Sequence, residues 1–229
     1  GAGATNNTIR NCIIKAGTNS VASSFGIYVG GATVSTTGSG ADNNNITISN
    51  NIISKCRFGI YVRGTSGNPL LNLIITGNTI GSSNPDDYIT EYGLNLQAAA
   101  APQVTYNEVL SMISDVSKWG LFFGSNISNA LVSKNRVHSF DQPGQSGFNS
   151  VGIYFSSATG CTDNQIDNNM IYNLNTYGNT SMLLAGIRIV GGSNYKIYYN
   201  SISMTGVIGN PLAGMVSSCI YISTATTNA

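Results

Sequence analysis

The chain has 229 residues, 41% of them hydrophobic and only 8% charged, with ten Lys plus Arg nearly cancelled by nine Asp plus Glu. That balance excludes the clustered basic footprint needed for nucleic acid or anionic lipid, and no apolar run approaches the ~18 residues of a membrane span. Asn, Ser and Thr make up about a third of the chain and Gly adds 27 residues, a composition of many short strands joined by many turns.

Along the chain two short patterns alternate. One is an apolar stretch carrying Asn: ITISNNII at 46–53, IITGNTI at 74–80, VTYNEV at 104–109, VSKNRV at 132–137, IDNNMI at 166–171 and IYYNSI at 197–202. IRNCII at 9–14 is the first copy, with Cys12 in the Asn position. The other is a bulky residue, Gly and an apolar alternation: FGIYVGG at 25–31, FGIYVRG at 58–64, YGLNLQA at 92–98, WGLFFGS at 119–125, VGIYFSS at 151–157, AGIRIVG at 185–191 and SCIYIST at 218–224. Its anchors Gly26, Gly59, Gly93, Gly120, Gly152, Gly186 and Cys219 are 33, 34, 27, 32, 34 and 33 residues apart. Seven copies at such spacing mark a repeat architecture with two or three strands per unit.

A unit this small cannot bury its own apolar face, so it stacks on its neighbours. Alternation turns Ile27 and Val29, Ile60 and Val62, Leu94 and Leu96, Leu121 and Phe123, Ile153 and Phe155, Ile187 and Ile189, and Ile220 and Ile222 inward as seven layers. At ~4.8 Å per strand the column is roughly 30 to 35 Å tall. Asn51, Asn78, Asn107, Asn135, Asn169 and Asn200 recur at a corner. There an amide both donates and accepts, which suits a ladder between coils.

With its shortest arcs of 14 and 8 residues and its repeated internal Asn, the chain resembles right-handed parallel β-helices of the pectin-lyase-like superfamily. The resemblance covers the whole chain and implies one all-β domain over residues 1–229, a single-stranded right-handed parallel β-helix of about seven coils with variable loops. It is weak for activity, because this scaffold serves lyases, hydrolases, epimerases, phage tailspikes and non-catalytic surface proteins. Low-charge, Asn-rich copies are similar to repeats of secreted or cell-surface bacterial proteins.

One segment disputes the pattern: Val109, Met112, Ile113 and Val116 have the spacing of an amphipathic helix, which predicts one or two helical turns there. The carboxylates are scattered, the closest groups being Asp86, Asp87 and Glu91, and Asp163 with Asp167. An Asp pair after Asn-Pro reads as a turn and cap signal, with a Ca²⁺ or catalytic site as the alternative. His138, the single His, lacks flanking Gly, and Arg188 in IRIV lacks a following Lys. Both depart from the polygalacturonase pattern, and His138 reads as a surface or loop residue. Cys12, Cys56, Cys161 and Cys219 lack metal-ligand spacing. No cofactor or metal is expected, and a single disulfide stays open.

The outward position of the Gly-anchored strand reads Tyr28, Tyr61, Asn95, Phe122, Tyr154, Arg188 and Tyr221. Five of these seven are aromatic, and rings aligned on one face either stack on sugar rings or pack under loops and on each other. The outward position of the Asn-bearing strand is rich in Ser and Thr, but Ile74, Gln103 and Leu131 break the paired array of an ice-binding surface. Neither end carries a helical cap or a signal segment. The expectation is a segment of a longer solenoid or a copy that stacks on others. The favoured reading is a non-catalytic extracellular or cell-surface module, a rigid shaft, adhesin or fibre subunit. The alternative is a polysaccharide-binding or polysaccharide-cleaving domain using the aromatic face with Arg63, Arg188 and the Asp86/Asp87 loop.

Overall fold

The computed structural model describes residues 3–17, 24–142, 148–157, 159–177, 183–205, 208–209 and 216–223. They form a parallel β-solenoid of about six turns. Three walls run the length of the stack. The first wall is Thr8–Arg10, Thr47–Ser49, Ile74–Thr76, Gln103–Thr105, Leu131–Ser133, Gln165–Asp167 and Lys196–Tyr198, each paired in parallel with the next. The second is Ile13–Lys15, Ile52–Ser54, Thr79–Ile80, Glu108–Ile113, Arg136–Asp141, Met170–Leu174 and Ser201–Ser203. The third is the Gly-anchored wall: Phe25–Val29, Cys56–Arg63, Ile89–Gln97, Lys118–Phe123, Ser150–Phe155, Leu183–Val190 and Val216–Ser223. Seven strands in a column enclose six intervals, so the expected seven coils become about six turns.

Two left-handed residues set the corners of the first wall. Each three-residue strand lies between positive-φ positions: Asn6 and Asn11, Asn45 and Asn50, Asn72 and Gly77, Ala101 and Tyr106, Asn129 and Lys134, Asp163 and Asn168, Asn194 and Tyr199. The two members of every pair are five residues apart. Asn and Gly tolerate that conformation best, which explains much of the Asn content. Immediately after the second corner comes the ladder. The backbone N of Asn51, Asn78, Asn107, Asn135 and Asn169 donates to the side-chain oxygen of the ladder Asn one coil on, at 3.0–3.1 Å. Each amide nitrogen donates to that same oxygen and to a carbonyl of the coil behind, as Asn107 does to Asn135 and Ile75. Cys12 joins through its backbone N, 3.0 Å from Asn51 Oδ1. These five Asn are each 1% exposed, so a buried corner is left with its polar groups paired.

The motif glycines stand where nothing larger fits. A Cβ on Gly93 would lie 2.5 Å from Val109 Cγ1 and 2.6 Å from the Gly120 carbonyl oxygen, and the contacts recur rung after rung. The strand register runs Phe25–Phe58 and Ile27–Ile60 with no glycine pair between. The residue before each glycine is thereby turned outward, where simple alternation would place it inside.

The stretch expected to be helical is the strand Glu108–Ile113. Ser111 is left-handed at φ 50°, so Val109 and Met112, three apart, both face the core and are fully buried. The same corner at Lys55, Ser139 and Asn173 buries Ile53 with Cys56, Val137 with Phe140, and Ile171 with Leu174. A solenoid corner thus imitates helical periodicity. The expected inward residues line one continuous core, except that Ile220 and Ile222 of the last rung are 44% and 64% exposed. The four cysteines are unpaired.

Candidate functional site

The outer surface of the third wall carries two parallel columns of side chains. One is the expected series, with Tyr28, Tyr61, Asn95, Phe122, Tyr154, Arg188 and Tyr221 in register. Beside it lie Phe25, Phe58, Tyr92 and Trp119, the residues ahead of the motif glycines. The rings of this second column stack at 4.9, 5.5 and 4.7 Å between centroids. They meet the first column edge-on at Phe25–Tyr28, Phe58–Tyr61 and Trp119–Phe122. The sequence displays these aromatic residues in the first four copies, but alternation assigns them to the core.

Among the described residues, one end of this face lies under a loop and the other is half-buried. The Tyr28 hydroxyl donates to the Thr33 and Gly38 carbonyls, and the Tyr61 hydroxyl to the Thr36 carbonyl at 2.7 Å. Arg63 donates to the same Thr36 oxygen. Residues 30–44 therefore close over the first two rungs, and Tyr61 is 3% exposed. Burial pushes the Tyr61 and Tyr154 phenols above their ordinary range. Farther along, Phe122, Tyr154, Arg188 and Tyr221 are half-buried. The Arg188 guanidinium lies 4.7 Å from the Tyr154 ring centroid and 5.7 Å from that of Tyr221, a cation held between two aromatic faces. Trp119, Tyr154 and Tyr221 pack around Val151, Leu183 and Ala185, a small apolar cluster outside the main core.

Between the two ends the first column is interrupted at Asn95, and a cleft of about 380 Å³ opens there. Its walls are the rings of Phe58, Tyr61, Tyr92 and Phe122, and Thr36 of the covering loop stands at its rim. Gln97 Nε2 donates to Asn95 Oδ1 at 3.1 Å within it. The charged lining residues, Arg57 and Glu91, are bonded to each other at 2.5 Å. Arg57, Phe58, Tyr92, Asn95 and Gln97 escape a reading of the sequence as a site. What assembles them is the glycine-induced turn of one column and a loop that folds back from a different rung.

The other sequence candidates lie elsewhere. Asn84 caps a short turn of 3₁₀ helix at Pro85–Asp87. The Asp87 carboxylate is bonded to Lys15 at 2.5 Å and faces Lys55 at 3.9 Å. The Lys15 hydrogen bond holds it below its ordinary pKa, and Asp87 lines no part of the cleft. Asp163 accepts from Thr162, and Asp167 accepts from Gln165 and Asn168. Among the described residues no three His, Cys, Asp or Glu side chains converge as a metal site. His138 is not a loop residue: it sits in the strand Arg136–Asp141, 3.0 Å from Glu108 and stacked on Tyr172 at 4.7 Å. Burial raises the Glu108 pKa, but bonds from His138 and Arg136 outweigh it and hold the carboxyl low. Lys118, unremarked in the sequence, is fully buried with its ammonium on the Ser114 and Val116 carbonyls. Burial draws its pKa down to about 7. No family model, no curated protein and no solved structure matches the chain.

Proposed function

We propose that the chain is a non-catalytic extracellular or cell-surface β-helix module of adhesive character, which presents its outer aromatic face to polysaccharide. The observation that carries this reading is the outer row Phe122, Tyr154, Arg188 and Tyr221, half-buried on a continuous core and continuing a double column of rings that runs from Phe25 to Phe122. Flat apolar faces with a few polar groups suit sugar rings. Glu91, the carboxylate lining the cleft, is tied to Arg57, and Asp87 of the preceding turn is tied to Lys15 and Lys55, which favours binding over acid–base work. The closer kinship with pectin-lyase-like β-helices belongs to the same reading, resting on the coil length and the Asn ladder.

A glycan array paired with an ultraviolet assay for unsaturated lyase products, with and without Ca²⁺, tests it. Glycan binding that is lost in Tyr154→Ala, without product formation, is the expected result. Turnover of any polysaccharide would replace the adhesive reading with the enzymatic one.

A further inference from the structure

We infer that the interruption at Asn95 is a notch for one uncharged pyranose ring, a conclusion that rests on the glycan-binding reading above and narrows it to a place and a ligand class. Tyr61 and Phe122 are the register partners of Asn95 on its two sides. Two strand spacings separate them by roughly 10 Å, so a ring lodged over Asn95 takes the position of the missing aromatic side chain. Tyr92 of the neighbouring column, whose ring is 5.1 Å from that of Phe122, closes the flank. The floor is polar where the rungs on either side, Tyr61 and Phe122, are aromatic: Asn95, 3% exposed, accepts from Gln97. Paired amides supply both donors and acceptors to hydroxyl groups. A planar aromatic ligand would leave those amides unmatched, whereas a pyranose offers C–H faces to the rings and hydroxyls at its rim.

The charges select further. Arg57 is held by Glu91 at 2.5 Å, and Arg63 is turned to the Thr36 carbonyl. A uronate carboxylate entering the notch would meet Glu91 with its cation already engaged, and burying such a charge without a partner is costly. Neutral hexoses or pentoses carry no such penalty.

The test uses the full chain titrated calorimetrically with cellohexaose, xylohexaose, mannohexaose and hexagalacturonate, alongside Asn95→Tyr and Gln97→Ala. Asn95→Tyr fills the notch with the residue type found at Tyr28, Tyr61 and Tyr154. Its thermal midpoint should stay level or rise, while affinity for the neutral oligosaccharide falls at least about tenfold. Gln97→Ala should weaken the same ligand several-fold, and it keeps the test decisive if Asn95→Tyr does not fold. Unchanged affinity in either folded variant overturns the notch but leaves the broader face standing, provided Tyr154→Ala still abolishes binding. Tighter binding of hexagalacturonate than of any neutral hexamer overturns the ligand class. Absence of binding to all four, together with a blank glycan array, removes the underlying reading and the notch with it.

Discussion

The ladder corner and the outer aromatic face run side by side along the same stack, yet they obey different rules. At the corner the five rungs from Asn51 to Asn169 repeat one arrangement, a left-handed residue followed by an amide bonded to the coils before and behind. On the outer face the series changes from ring to amide to ring to guanidinium, and among the described residues a loop covers its first rungs. The interior column is constrained because each buried polar atom must find a partner. The exterior column is not bound by that requirement, so its side chains vary from rung to rung and the proposed glycan specificity is placed there.

That contrast is sharpest under mutation. Asn107→Leu strips partners from the Asn78 backbone N, the Ile75 carbonyl and Asn135, and urea unfolding should show a loss of about 3 to 5 kcal/mol. Gly93→Ala forces a methyl against the Gly120 carbonyl and Val109 and should cost about 1 to 3 kcal/mol in the same assay. Lys118 gives a pH signature. Its pKa is about 7 in the fold against 10.5 as a free side chain. Between those values the unfolded chain carries a proton that the folded chain lacks, so stability rises with pH. Relative to Lys118→Met, the wild type should gain about 1 kcal/mol from pH 7 to 8, and equal slopes for the two proteins would refute the assignment. The smallest effect is expected at Tyr106, left-handed at φ 56° and 58% exposed. Tyr106→Asn should raise the unfolding free energy by about 0.5 kcal/mol, since the lost contact with Lys134 is an exposed one.

The same contrast governs what the sequence discloses. Inward pairs such as Leu94 and Leu96 and the ladder amides are legible because stacking repeats them at each coil. The left-handed corners are harder to see, because Ala101, Tyr106 and Lys134 stand where Asn is usual. Ser111 is harder still: it folds a strand so that Val109 and Met112 carry a helix-like spacing. Phe58 and Tyr92 are visible as bulky residues and the glycine after each is visible too, but that the register skips this glycine and brings them outside is a backbone event that simple alternation does not show. Asn95 is visible as a gap in a row. That the gap is a cleft depends on Thr36 arriving from another rung, a contact that no local pattern encodes.

Native-state hydrogen exchange resolved by residue measures the division between the two regions directly. The backbone amides of Asn51, Asn78, Asn107 and Asn135 should exchange only through global unfolding, while the Gly38 amide, bonded to Ser35 in the covering loop, exchanges through local opening and orders of magnitude faster. Ladder amides that exchange as readily as Gly38 would mean that the corner is not the rigid spine from which the outer face is displayed.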